Sequence, residues 1–217
     1  MVANSALITL NARETPLPTS EEASSETRAE AIVRQIKQDA ERGAASLFDT
    51  YAAEVNQLIW RLLGADPDHD DFVQHVFFTV IAQIETLREP RKLRHWVQAV
   101  TVNTVYGELR KRQVRRLFLA YQPNEQRLGD LNRDVETRDL LMRARSLLYR
   151  LPAKEQLVFL LHHVEGYTLS EVSELAGFSL ATAKRRLSSA NARFRKMLKR
   201  EPGLSFTLET CSGESLL

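Results

Sequence analysis

The chain has 217 residues, 43% of them apolar, with 30 Lys and Arg, 28 Asp and Glu and one cysteine. That length suits one large domain or two small ones, and the apolar share excludes global disorder. The lone Cys211 excludes an intrachain disulfide or a thiolate metal site, and no stretch approaches the ~20 apolar residues that span a bilayer.

The formal charge of +2 hides an uneven distribution. Arg88 to Arg116 holds nine Lys and Arg against two acids, and Ala181 to Arg200 holds eight and no acid. Acids gather instead at Glu21–Glu30, Asp66–Asp71 and Asp130–Asp139. Two separate basic segments in a near-neutral chain point to a polyanion bound at two places.

Met1 to Pro18 lacks a basic n-region and a long apolar run, so no signal peptide is expected and the chain reads as cytoplasmic, without membrane insertion. Residues 1–25, rich in Ser, Thr, Glu and Pro without a period, read as a flexible extension. From Arg28 the pattern turns helical, with Ile32, Val33 and Ile36 on one face and Gly43 as the expected stop. Leu47, Tyr51, Val55, Leu58 and Leu62 mark a second helix ending at Gly64. After a turn at Ala65–His69, Asp68 or Asp70 is placed to cap a third helix reaching Leu87, with Val73, Val76, Phe77, Val80, Ile81 and Ile84 inward. Glu89-Pro90 breaks it. A fourth helix spans Lys92 to Leu117 and ends in Arg110, Lys111, Arg112, Arg115 and Arg116.

The polar segment 119–137 reads as a linker. A second helical block starts near Arg138, and Pro152 opens its next helix at a position that tolerates a missing N–H. Then comes Y-T-L-S-E-V-S-E-L-A-G-F-S-L-A-T-A-K-R-R-L. Thr168 or Ser170 can cap a short helix, with Glu171 in reach for a capping box. Gly177 suits a left-handed turn, and Ser179 caps a longer helix. That helix turns Ala183, Leu187 and Ala190 inward, and Thr182, Lys184, Arg185, Arg186 and Arg193 outward. This is a helix-turn-helix, whose second helix enters the major groove by its N-terminal residues. The expected architecture is all-α: two small bundles at 26–118 and 138–200 joined by the linker, the second a helix-turn-helix domain, with a flexible tail at 201–217.

Asp70-Asp71-Phe72-Val73-Gln74 followed by Phe77 resembles the acidic helix opening the second conserved region of bacterial sigma factors. Trp96-Val97, Val100 and Asn103, then Arg110 and Arg112, resemble the helix that meets the melted promoter. Leu151-Pro152, Val164-Glu165-Gly166-Tyr167, Glu171-Val172 and Thr182 with Lys184, Arg186 and Leu187 resemble the fourth region. Both blocks, in this order with a short linker, are similar to the extracytoplasmic-function (ECF) sigma factors.

The resemblance implies that the protein binds core RNA polymerase, directs it to promoters and helps to open the DNA. It implies docking on polymerase through Asp70, Asp71 and Gln74. Contact with the minus-ten element would fall to Arg94, Trp96, Asn103, Arg110, Lys111 and Arg112, and with the minus-thirty-five element to Ser179, Thr182, Lys184, Arg185, Arg186 and Arg193. It also implies an anti-sigma factor that masks the polymerase-facing surfaces. Trp96 can stack on an unpaired base, but its helical spacing from Leu93 and Val100 favours a core position. Four residues depart from the family pattern: His75 in place of an acid, Gly107 where aspartate is frequent, and Ser189 and Asn191 in place of arginines. An unusual promoter preference is therefore expected.

Other classes fit less well. A regulator of the response-regulator kind shares the helix-turn-helix but not a bundle like 70–116. An enzyme lacks its machinery here: Asp66-x-Asp68-x-Asp70 begins like a calcium loop but has Asp71 and Phe77 where glycine and glutamate belong. The adjacent His162 and His163 diverge on a helix. No phosphate-binding glycine loop or nucleophile elbow occurs. No catalytic residue, metal or cofactor is expected.

Overall fold

The computed structural model describes residues 20–119 and 143–201, and within them every regular element is helical. The N-terminal bundle comprises α1 (Ser20–Gln38), α2 (Ala40–Leu63), α3 (His69–Gln83) and α4 (Leu93–Leu119), with 3₁₀ turns at Ile84–Thr86 and Pro90–Lys92. The C-terminal bundle comprises α5, whose described part is residues 143–149, then α6 (Ala153–His163), α7 (Leu169–Leu175) and α8 (Leu180–Leu198). The start of the second block near Arg138, the linker 119–137 beyond its first residue, the tail from 202 and the extension up to residue 19 lie outside the described residues.

Two expected boundaries move. The first helix begins at Ser20, inside the segment read as an extension. Gly43 is not its stop: the break falls at Asp39, whose carboxylate accepts the Arg42 N–H and caps α2. Gly43 lies within α2 where that helix crosses α1, and a Cβ there would stand 2.4 Å from the Ile36 backbone. The residue is glycine because two helices nearly touch. α3 also ends earlier than Leu87, as its last turn tightens to the 3₁₀ turn. Asp68 occupies its N-cap position but makes no capping bond; Asp66 instead accepts the Asp68 N–H.

Apolar stripes bury Leu47, Val55, Leu58 and Ile59 of α2, Val73, Val76 and Val80 of α3, and Val97, Val105 and Leu109 of α4. In the second bundle Leu157, Val158 and Leu161 meet Val172 and Leu175 of α7 and Ala183 and Leu187 of α8. All of these but Ala183 form one continuous cluster that runs through both bundles, because α4 packs on α6 and α7.

Polar groups cross the same seam. The Tyr149 hydroxyl donates to the Leu63 carbonyl at 2.9 Å and accepts from Arg145 Nε at 3.0 Å. The Ala153 N–H donates to Gln113 Oε1 at 3.0 Å. Arg61 Nη1 stands 3.4 Å from Glu165 Oε2, whose side chain is 6% exposed.

Candidate nucleic-acid interface

The helix-turn-helix forms as its residues dictate. The Thr168 hydroxyl accepts the Glu171 N–H, and the Glu171 carboxylate accepts the Thr168 N–H at 2.7 Å, a complete capping box. α7 stops at Gly177, whose φ of 65° is left-handed. Ser179 then caps α8 by accepting the Thr182 N–H at 3.2 Å. Its hydroxyl also lies 2.8 Å from that of Thr182, so these two side chains satisfy one another.

The outward residues of α8 divide by turn. Lys184 and Arg185 are exposed in its first two turns. Arg186 is half-buried, its guanidinium 4.0 Å above the Phe178 ring and its Nη1 buried without a hydrogen bond. Burial pulls its pKa down. Further along, α8 is tied to α6: Ser189 Oγ donates to Glu155 Oε1 at 2.9 Å, Arg193 Nε stands 3.1 Å from Glu155 Oε2, and Asn191 Oδ1 lies 3.0 Å from His163 Nε2. The two residues that replace the usual arginines therefore have structural partners. His163 has one too, and His162 Nδ1 lies 2.8 Å from the Tyr167 carbonyl oxygen.

On α4, Asn103, Arg110 and Lys111 are exposed. Gly107 lies among them, and a Cβ there would meet nothing within 4 Å. Arg112 is turned inward, held by Asp66 and by Glu108 Oε1 at 3.1 Å. Glu108 is buried and also receives Arg115 at 3.1 Å, so a single carboxylate organises the basic end of the helix. Arg94 is held by Glu54 at 3.1 Å, and this hydrogen bond raises its pKa. Trp96 is half-buried and packs against the core.

On α3, Asp70, Asp71 and Gln74 are exposed in the first two turns. His75 follows them outward, and Phe78 stands 74% exposed. Asp71, Gln74, His75 and Phe78 have the i, i+3, i+4, i+7 spacing of one helix face. The sequence reading missed Phe78, although its spacing from Asp71 and Gln74 is the available signal. The apolar run Val76-Phe77-Phe78 drew attention to Phe77, which is buried and meets the Phe48 ring at 4.9 Å.

Comparison with known proteins decides the class. Residues 47–116 match the family described as Sigma-70 region 2, and residues 141–193 match Sigma-70, region 4. The chain belongs to the ECF sigma factors. It is similar to the ECF RNA polymerase sigma factor SigW of Bacillus subtilis (strain 168), 23% identical over 77% of this chain and 95% of SigW. It is also similar to RNA polymerase sigma factor SigZ of the same organism, 24% identical over 70% of this chain and 85% of SigZ. RNA polymerase sigma factor SigV, again from that organism, is 25% identical over 60% and 76%. The fold matches the chain in a structure described as CnrH in complex with the cytosolic domain of CnrY, with a TM-score of 0.55, 20% identity, and coverage of 82% of this chain and 99% of that one.

This sigma factor thus directs promoter-specific transcription and is not an enzyme. Among the described residues no helix is long and apolar enough to cross a membrane, and no cluster of three His, Cys, Asp or Glu is arranged to hold a metal.

Proposed function

We propose that three faces of this ECF sigma factor divide the work of initiation. The exposed stripe of α3, with Asp70, Asp71, Gln74 and Phe78, docks on core RNA polymerase. Its carboxylates suit a basic or amide-rich partner, and Phe78 supplies the apolar anchor that a protein interface needs. The face of α4 bearing Asn103, Arg110 and Lys111 takes the minus-ten strand, with Arg94 at its start. Arg112 acts behind that face, fixing the helix end through Asp66 and Glu108. α8 takes the minus-thirty-five duplex through Lys184 and Arg185, with Ser179 and Thr182 shaping its first turn. Arg193 supports α8 through Glu155.

The observation that carries this reading is the sorting of the charged side chains. Arg112 is turned inward onto Asp66 and Glu108, whereas a second set faces solvent on three distinct helices, with Arg94 and Arg193 exposed while paired with Glu54 and Glu155. We further propose that an anti-sigma factor covers the polymerase-facing α3 stripe; the similarity to CnrH, solved with the cytosolic domain of CnrY, supports such a partner. Run-off transcription with core polymerase and genomic fragments tests the whole. Promoter-specific transcripts that disappear with Lys184→Ala/Arg185→Ala, together with direct capture of the core enzyme, are the expected result. Absence of both transcript and capture overturns it.

A further inference from the structure

Among the described glycines, Gly64, Gly166 and Gly177 have positive φ, and Gly43 sits where α1 and α2 cross. Gly107 has neither reason. It lies near the middle of the 27-residue α4, where a Cβ would meet nothing within 4 Å. Glycine is among the weakest helix formers, so the fold gives up stability there with no packing return. A residue that breaks a local rule without a compensating contact points to function.

Its surroundings say which function. On a helix, residue 107 is flanked by the residues three and four positions away. Thr104 turns its hydroxyl back onto the helix, donating to the Val100 carbonyl at 3.0 Å. Asn103, Arg110 and Lys111 are exposed. The neighbouring carboxylate, Glu108, is buried and takes Arg112 and Arg115 at 3.1 Å, whereas Lys111 Nζ stands 4.0 Å from it. Arg110 has no ion pair among the described residues. The result is a strip of bare helix backbone bounded by one amide and two cations. An aspartate at 107 would stand three and four residues before Arg110 and Lys111 and would pair with them. Glycine leaves both cations for an anion from outside.

That anion is a phosphodiester rather than a base. Lys and Arg give a phosphate charge-assisted hydrogen bonds, and the missing Cβ lets a sugar-phosphate chain approach the helix closely. Neither Asn103 nor the two cations offers an aromatic ring on which an unpaired base would stack.

We propose that Gly107 is a positioning residue for promoter opening: a phosphodiester of the unpaired minus-ten strand seats over the bare α4 backbone there, between Asn103 and the pair Arg110 and Lys111. This rests on the α4 face given under Proposed function. A phosphate contact fixes where the strand lies and carries no base preference.

The test uses holoenzyme assembled from the full chain and core polymerase. The probes are a promoter fragment, found by run-off transcription, whose minus-ten region is kept unpaired by mismatches, and the same fragment with oligo-dT in that region. Gly107→Ala is expected to weaken binding of both by about threefold, and Gly107→Val by about tenfold or more, roughly the loss of one hydrogen bond to a charged group. Helix propensity ranks the three residues Ala, Val, Gly, so the variants melt above the parent while binding more weakly. Gly107→Asp should weaken binding at least as much as Gly107→Val and flatten its salt dependence by about 0.7 in logarithmic slope. Unchanged affinity in Gly107→Val overturns the proposal. A larger loss for Ala than for Val overturns it too, since that order would track helix stiffness and not space. A loss seen with the promoter sequence but not with oligo-dT overturns the phosphate assignment. If the parent holoenzyme itself fails to hold the unpaired fragment, the division of faces is rejected; if the parent holds it and the variants match the parent, the Gly107 contact alone is rejected.

Discussion

Glu165 sits between the bundles with one carboxylate oxygen 3.4 Å from Arg61 and the other buried without a hydrogen bond. Burial pushes its pKa up, and the opposing pull of Arg61 is smaller. A raised carboxyl pKa means that the folded protein binds the proton more tightly than the unfolded chain. The group's contribution to stability is therefore fullest below the unfolded pKa, about 4.3, and is lost as pH rises through the folded value. Glu165→Gln mimics the protonated form and removes this dependence. Its melting temperature relative to the parent should climb as pH rises from about 4.5 toward neutrality. Thermal melts at stepped pH check this, and a difference that stays flat or shrinks would show that the Arg61 pair outweighs desolvation. Phe78 presents the contrasting case of an apolar side chain with little to do in the fold. At 74% exposure its truncation should leave stability within ~0.5 kcal/mol. If it anchors polymerase, Phe78→Ala weakens that complex by about 1–2 kcal/mol, roughly tenfold in Kd. Titration of labelled core enzyme measures the loss, and an unaltered Kd would remove Phe78 from the docking face.

Helix identity was written plainly in the sequence, because apolar residues at 3.6 spacing outnumber competing signals in α2, α3, α6 and α8. The capping box at Thr168 and Glu171, the turn at Gly177 and the cap at Ser179 were all legible, since each depends on residues three apart or fewer. What escaped depends on neighbours distant in sequence. Gly43 reads as a stop until α1 is laid across it, and the partners of Ser189, Asn191 and Arg193 appear only when α6 presents Glu155 and His163. Arg112 looks like another member of a cationic run until Asp66, 46 residues earlier, comes to meet it. Two substitutions measure the local terms with opposite signs. Thr168→Ala removes the cap of a seven-residue helix and should cost about 1 kcal/mol in chemical denaturation. Gly107→Ala should add about 0.5–1 kcal/mol, because the position is helical and a Cβ meets nothing there. A loss at Gly107→Ala would mean that the α4 backbone is not a relaxed helix at that residue.

At the scale of the whole molecule, the question is whether two bundles that fold from separate stretches of sequence behave as one thermodynamic unit. The apolar cluster is continuous across the seam, and three polar contacts close its edges. Neither bundle can unfold without exposing the apolar face of the other, so unfolding should be a single cooperative transition. The chain supplies its own local reporter. Both tryptophans, Trp60 and Trp96, lie in the N-terminal bundle, whereas helical circular dichroism sums over both. In urea, tryptophan fluorescence and far-ultraviolet circular dichroism should therefore give coincident midpoints for the parent chain. Gln113→Ala/Tyr149→Phe removes the reciprocal helix-end bonds while leaving every core side chain in place. Each net bond is worth about 0.5–1.5 kcal/mol, enough to weaken coupling between two marginally stable bundles. The two probes should then part, with the dichroism curve broadened by the earlier loss of the smaller C-terminal bundle. Separate midpoints already present in the parent chain would mean that the apolar contact of α4 with α6 and α7 contributes little, and that the bundles are neighbours without being coupled.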